Sequence, residues 1–165
     1  MLPQVEWATI DKKYPVLVMN PNENRCDTTG EKIPHSESMT RHANHVWTNY
    51  VKPAGFKRLL ILAHSAGGLC LESIMVKNGD SFFENVAKIA VTDSCIIDKK
   101  FLTPKQQDFM LQNAIHYQAS LHGLGVSIRP RAMRSHSTCP HVSAGHSKHE
   151  YTTGVSWPMI LKQFS

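Results

Sequence analysis

The sequence predicts an α/β fold built on an open, mostly parallel sheet, and three observations carry that prediction. Short apolar runs alternate with helix-length segments, the pattern of strands joined by helical crossovers. One run, Leu59 to Ala63, passes directly into a helix through Ser65, which is flanked by small residues. Another, Ala87 to Thr92, ends in Asp93. Chemistry-bearing side chains therefore fall at carboxyl strand ends, where the sites of open α/β sheets gather.

Each element follows in chain order. Pro3 opens a short helix through Lys13, and Pro15-Val-Leu-Val-Met19 reads as a buried strand that stops at Asn20-Pro-Asn-Glu-Asn24. Residues 26–36 are polar and read as a surface loop. From Ser38, the residues Met39, Ala43, Val46, Trp47, Tyr50 and Val51 recur at helical spacing, and Lys52-Pro-Ala-Gly55 ends that helix. The strand Leu59 to Ala63 comes next, then a helix opened by Gly67-Gly68 and ended by Asn78-Gly79. A third strand, Ala87 to Thr92, completes a β-α-β-α-β order, which selects parallel pairing. Thr103-Pro-Lys-Gln106 is a capping-box start for a helix running through Phe109, Leu111, Ala114 and Ile115 toward His122-Gly123. Residues 123–137 read as loop, His141-Val-Ser143 as a short strand, and Trp157 to Phe164 as a last helix with Pro158 in its first turn.

At 165 residues and 41% hydrophobic content, residues 1–165 are expected to form one domain with a real core. Cys26, Cys70, Cys95 and Cys139 lie far apart without a Cys-x-x-Cys pair, which suits a reducing compartment. No run approaches the ~18 apolar residues of a membrane span, and the amino terminus lacks a signal-peptide pattern, so the expectation is a protein that is neither secreted nor membrane-spanning. The net charge is +5. Its basic residues cluster only weakly, at Arg129, Arg131, Arg134 and Lys148, so a solvated basic surface is favoured over a nucleic-acid face. Trp47 and Trp157 fall on apolar helix faces and read as core, not as base-stacking platforms.

Strand, serine, glycine and helix in the order Ala63-His-Ser-Ala-Gly67 describe a nucleophile elbow, with Gly67 at plus two and Ala63 at minus two. An inert serine on a tight βα turn is the alternative. Ser65, Asp93 and His149 then follow the chain order of an α/β-hydrolase triad: nucleophile, orienting carboxylate and base. The backbone N–H of Ala66 is the oxyanion donor that such an elbow supplies. Asp93 also fits a turn or cap. His64 is expected to point away from Ser65. His136, Cys139, His141, His146 and His149 could suggest zinc, but Cys-x-His-x4-His-x2-His matches no familiar ligand spacing, so no metal and no cofactor is expected.

Four separated stretches together resemble one family: Val16-Leu-Val-Met-Asn-Pro-Asn-Glu-Asn24, Ala63-His-Ser-Ala-Gly-Gly-Leu69, Val91-Thr-Asp-Ser94, and Cys139-Pro-His-Val-Ser-Ala-Gly145 with Lys148-His-Glu150. They look like the Arb-two domain, specifically its metazoan branch, family with sequence similarity 172. The resemblance is weakest over residues 96–137. It implies a partial α/β-hydrolase-like three-layer fold. It also implies a cotranscriptional regulator of nucleus or cytoplasm that works with Argonaute or chromatin-associated proteins and affects alternative splicing. On this resemblance the chain starts beyond the first strands and the loop that gives a hydrolase its second oxyanion donor, so the elbow is expected to mark ancestry more than catalysis. A serine hydrolase acting on an ester or thioester is the alternative, and a shortened product without stable function is a third.

Overall fold

The computed structural model describes residues 2–95, 98–129 and 137–165. Within them the fold is mixed α/β, with a four-stranded sheet in the order β1-β2-β3-β4, every pair parallel. The strands are β1 (Leu59–His64), β2 (Val86–Thr92), β3 (Ala114–Gln118) and β4 (His141–Ser143).

Helices cover both faces, as parallel strands require. Helix α1 (Leu2–Glu6) runs into a π-helical turn, Trp7–Asp11; α2 (Met39–Val46) runs into another, Trp47–Val51. Helix α3 (Gly67–Asn78), α4 (Asp80–Phe83) and α5 (Pro104–Asn113) follow, and α6 (Thr152–Phe164) ends the chain. Ser38 caps α2 through a bond from the Arg41 N–H, and Thr103 with Gln106 forms the capping box of α5.

Alternation along β2 divides the core into two layers. Ile89 and Val91 join Trp47, Leu71, Met75, Phe82 and Met110 under α2, α3 and α5. Ala90 joins Tyr117, Ile160 and Phe164 beneath α6, with Trp7 packed against that layer. Trp47 lies 5.1 Å from Phe82 and Trp7 5.7 Å from Trp157, so both predicted core tryptophans pack on aromatic neighbours.

Three expectations are corrected. Residues 15–19 form no strand, and Val16, Leu17 and Val18 are 41%, 51% and 56% exposed. An apolar run becomes a buried parallel strand only where neighbouring strands take its backbone groups, and none pairs with this one among the described residues. The α5 helix ends at Asn113 rather than near His122; Ala114–Gln118 is a strand held between β2 and β4, so sheet pairing overrides the helical continuation. The last helix starts at Thr152, which leaves Pro158 inside it rather than in its first turn.

The α5 cap is a local interaction with a local cost. Thr103→Ala should lower the unfolding free energy by about 1 kcal/mol, measured as a reduced urea midpoint with unchanged slope.

Candidate functional site

Parallel pairing sets the site. His64 is opposite Thr92 in the β1–β2 ladder, so the turn after β1 and the turn after β2 emerge side by side. Ser65 stands on the first with φ +56° and Asp93 on the second with φ +37°, both in the left-handed region that non-glycine residues rarely occupy. Backbone strain of this kind persists only where surrounding contacts over-determine it.

Those contacts are dense. The Ser65 N–H donates to the Thr92 carbonyl at 3.1 Å, and the Asp93 N–H to the Tyr117 carbonyl at 2.8 Å. Ser94, which sequence reasoning did not single out, clamps the two turns together. Its hydroxyl donates to the Ser65 carbonyl and accepts the Gly68 N–H at 3.1 Å. A Cβ on Gly68 would lie 2.1 Å from the Ser94 oxygen, whereas one on Gly67 would meet only the Ala63 Cβ, at 3.7 Å. The steric demand of this elbow therefore falls at plus three, not at the plus-two Gly67 of the sequence reading.

Asp93 and His149 meet directly. The His149 Nδ1 lies 2.7 Å from the Asp93 Oδ2, while the Asp93 Oδ1 accepts the Ala119 N–H at 2.9 Å. A carboxylate on Nδ1 fixes the proton there in the neutral ring and leaves the Nε2 lone pair available as a base. No hydrogen bond joins Ser65 Oγ to His149, so two of the three triad-type residues are connected and the third stands on the adjacent turn. The Ala66 N–H has no hydrogen-bond partner among the described residues.

His64 makes no hydrogen bond to Ser65 among the described residues. Its ring packs against that of His149, with centroids 4.5 Å apart. Its Nδ1 lies 3.1 Å from both the Thr92 carbonyl and the Thr92 hydroxyl; a carbonyl only accepts, so Nδ1 carries the proton. Burial, with a smaller contribution from His149, holds His64 below the usual imidazole range. Thr92 Oγ1 is in turn 2.6 Å from Thr153 Oγ1 on α6, which ties this histidine layer to the last helix.

A second histidine pair lies beneath Ser94. His116 and His141 are both buried, with ring centroids 4.5 Å apart. The His116 Nε2 accepts the Ser94 N–H at 3.1 Å. Ser137 gives its one hydroxyl proton to the Cys139 carbonyl, so the His141 Nε2, 2.7 Å away, is the donor to Ser137. Burial pushes each histidine down to about 4, and in His116 the neighbouring His141 adds to it. Sequence reasoning missed this pair, because His141 was read on a short strand but His116 fell in the segment read as a continuing helix.

Among the described residues no three His, Cys, Asp or Glu side chains converge as metal ligands. His136, part of the weighed zinc set, and Arg131 and Arg134 of the basic cluster lie outside the described residues. The four cysteines are free. No helix of the described residues is long and apolar enough to cross a membrane.

Comparison with known proteins places this geometry in context. The family model of the Arb2 domain, the Arb-two domain of the sequence resemblance, matches residues 2–122. That stretch includes Ser65, Ala66 and Asp93 but not His149. The chain is 30% identical over 146 residues to the Xenopus tropicalis "Cotranscriptional regulator ARB2A homolog", covering 88% of this chain and 33% of the relative. It is 28% identical over 134 residues to the human "Cotranscriptional regulator ARB2A", covering 81% and 31%. It is 32% identical over 93 residues to a Caenorhabditis elegans "FAM172 family protein homolog", covering 56% and 28%. The chain thus spans about a third of the length of the curated relatives it matches. No solved structure matches.

Two measurements check this arrangement. Gly68→Ala should lower stability by about 1–3 kcal/mol because the Ser94 clamp must move, while Gly67→Ala should be neutral or stabilising by up to about 1 kcal/mol; urea midpoints of the pair decide. In the second, the buried histidines are neutral in the folded chain and protonate near pH 6.5 when unfolded. The unfolded state therefore binds more protons between about pH 6.5 and 4, and stability falls as pH falls through that window. The expected loss approaches about 1.4 kcal/mol per pH unit per histidine, and His141→Asn should make the fall shallower.

Proposed function

Because the chain belongs to the Arb2 domain family, we propose that it acts as a cotranscriptional regulator. In this reading it serves as an interaction module in nucleus or cytoplasm that links Argonaute or chromatin-associated proteins to alternative splicing. The observation that carries the reading is the domain match over residues 2–122, together with relatives named cotranscriptional regulators. The elbow then serves the fold. Ser65, Asp93 and Ser94 knit two strand ends, and the absence of a Ser65–His149 hydrogen bond agrees with a scaffold role, although catalytic bonds of ligand-free enzymes also tighten only with substrate.

A serine hydrolase is the second reading, favoured by the 2.7 Å Asp93–His149 contact and the Ser65 φ of +56°. Ser65 would attack an ester or thioester carbonyl, His149 Nε2 would take its proton, Asp93 would hold the ring, and the Ala66 N–H would receive the developing oxyanion.

Two assays separate the readings. Immobilised protein incubated with nuclear extract should retain Argonaute or chromatin-associated proteins, equally well as Ser65→Ala; recovery of neither class rejects the regulatory reading. A fluorophosphonate probe should leave the folded protein unlabelled, and labelling that vanishes in Ser65→Ala would establish the hydrolase instead.

A further inference from the structure

The two histidine layers have the same ring separation, 4.5 Å between centroids, but use their nitrogens differently. In the buried pair both Nε2 atoms are engaged, His116 accepting the Ser94 N–H and His141 donating to Ser137. In the outer pair neither is. His64 and His149 commit Nδ1 to the carboxyl end of β2, the first to the Thr92 carbonyl and the second to the Asp93 carboxylate. Among the described residues neither Nε2 has a hydrogen-bond partner. A third pair, His35 and His45, stacks at 4.4 Å, but there the Asn49 amide donates to the His45 Nδ1, which leaves the proton on its Nε2.

Both outer rings are thus held in the tautomer with the proton on Nδ1 and a lone pair on Nε2. Thr92 and Asp93 are consecutive and the two rings pack together, so anchoring through Nδ1 turns both lone pairs away from β2 to one side. A backbone carbonyl or carboxylate on the far nitrogen is the outer shell that metal-binding imidazoles carry, because it fixes the ring and makes the ligating nitrogen more basic. The separation agrees. With metal–nitrogen bonds of about 2.0–2.1 Å, two imidazoles at roughly a right angle on one ion have centroids about 4.5 Å apart. The pair is also preset by the fold: His64 ends β1, His149 opens the turn before α6, and the 2.6 Å contact between the Thr92 and Thr153 hydroxyls joins that helix to the strand ends.

We infer that His64 and His149 form a two-histidine site for a divalent transition-metal ion of the zinc class, with water or other oxygen donors completing its shell. Asp93 is its positioning residue, holding the His149 ring. Among the described residues no third His, Cys, Asp or Glu side chain joins the pair, so the ion exchanges more readily than in a closed four-ligand site. Of the residues that suggested zinc in the sequence only His149 takes part; its partner is the histidine beside Ser65. The inference rests on neither functional reading. It competes with the hydrolase, because the ion occupies the His149 lone pair that would serve as base.

The probe is Zn²⁺, titrated into the full chain without an affinity tag and with Mg²⁺ in excess. Calorimetry should show binding, and imidazole ¹H–¹⁵N spectra should show the Nε2 resonances of His64 and His149 moving while those of His35, His45, His116 and His141 stay in place. His64→Ala and His149→Ala should each weaken binding tenfold or more, and Asp93→Asn by roughly 10–100-fold. Cys26→Ser/Cys95→Ser should leave it unchanged. In the unsubstituted chain Zn²⁺ should slow diethyl pyrocarbonate modification of His64 and His149, a readout that stands even where a variant fails to fold. No binding at millimolar Zn²⁺, movement of other histidines instead of this pair, affinity retained in folded His64→Ala, or binding lost in the cysteine variant would overturn the proposal. Recovery of Argonaute or chromatin-associated proteins does not read this site, so the regulatory reading and the metal site fail separately.

Discussion

The parallel ladder between β1 and β2 is the constraint on which the rest of the structure depends. It sets Leu59–His64 against Val86–Thr92 with His64 opposite Thr92. Ser65 and Asp93 then leave the sheet as neighbours, each in a backbone conformation that a side chain tolerates only when held. Ser94 does much of that holding by bonding Ser65 and Gly68 at once, and the close approach leaves no volume at Gly68 for even a methyl group. Helix α3 starts where it does because this junction fixes its first turn.

Around that junction the molecule arranges histidines in two layers. His64 and His149 pack together at the partly exposed carboxyl ends of the strands, and His116 with His141 lies buried one level below. His116 must stay neutral, because its Nε2 receives the Ser94 N–H and a protonated imidazole has no lone pair to offer there. The upper pair is coupled to Asp93 and, through Thr92 and Thr153, to α6. The geometry that would serve a hydrolase is thus also the geometry that joins both helical layers to the sheet.

Among the described residues the two edges of the sheet are flanked unequally. β2 and β3 have neighbours on both sides, β4 is flanked by residues 125–128, and β1 presents amides that the described fold does not use.

Much of this was legible in the sequence. The strand–Ser65–helix junction, the strand ending at Asp93, the Thr103 capping box and the short strand at His141–Ser143 are all local patterns, set by side-chain period and by backbone chemistry within a few residues. The fold class and the chain order Ser65, Asp93, His149 followed from them. Tertiary structure decided what depends on partners distant in sequence. Residues 15–19 have the composition of a buried strand, yet among the described residues no strand takes their amides. Residues 114–118 continue a helical pattern, yet β2 and β4 stand ready to pair with them. Gly68 rather than Gly67 is the essential glycine only because Ser94, 26 residues onward, fills the space. Hydrophobic periodicity reports a residue's own preference; whether a neighbouring strand, hydroxyl or ring is present to meet it is a property of the assembled chain.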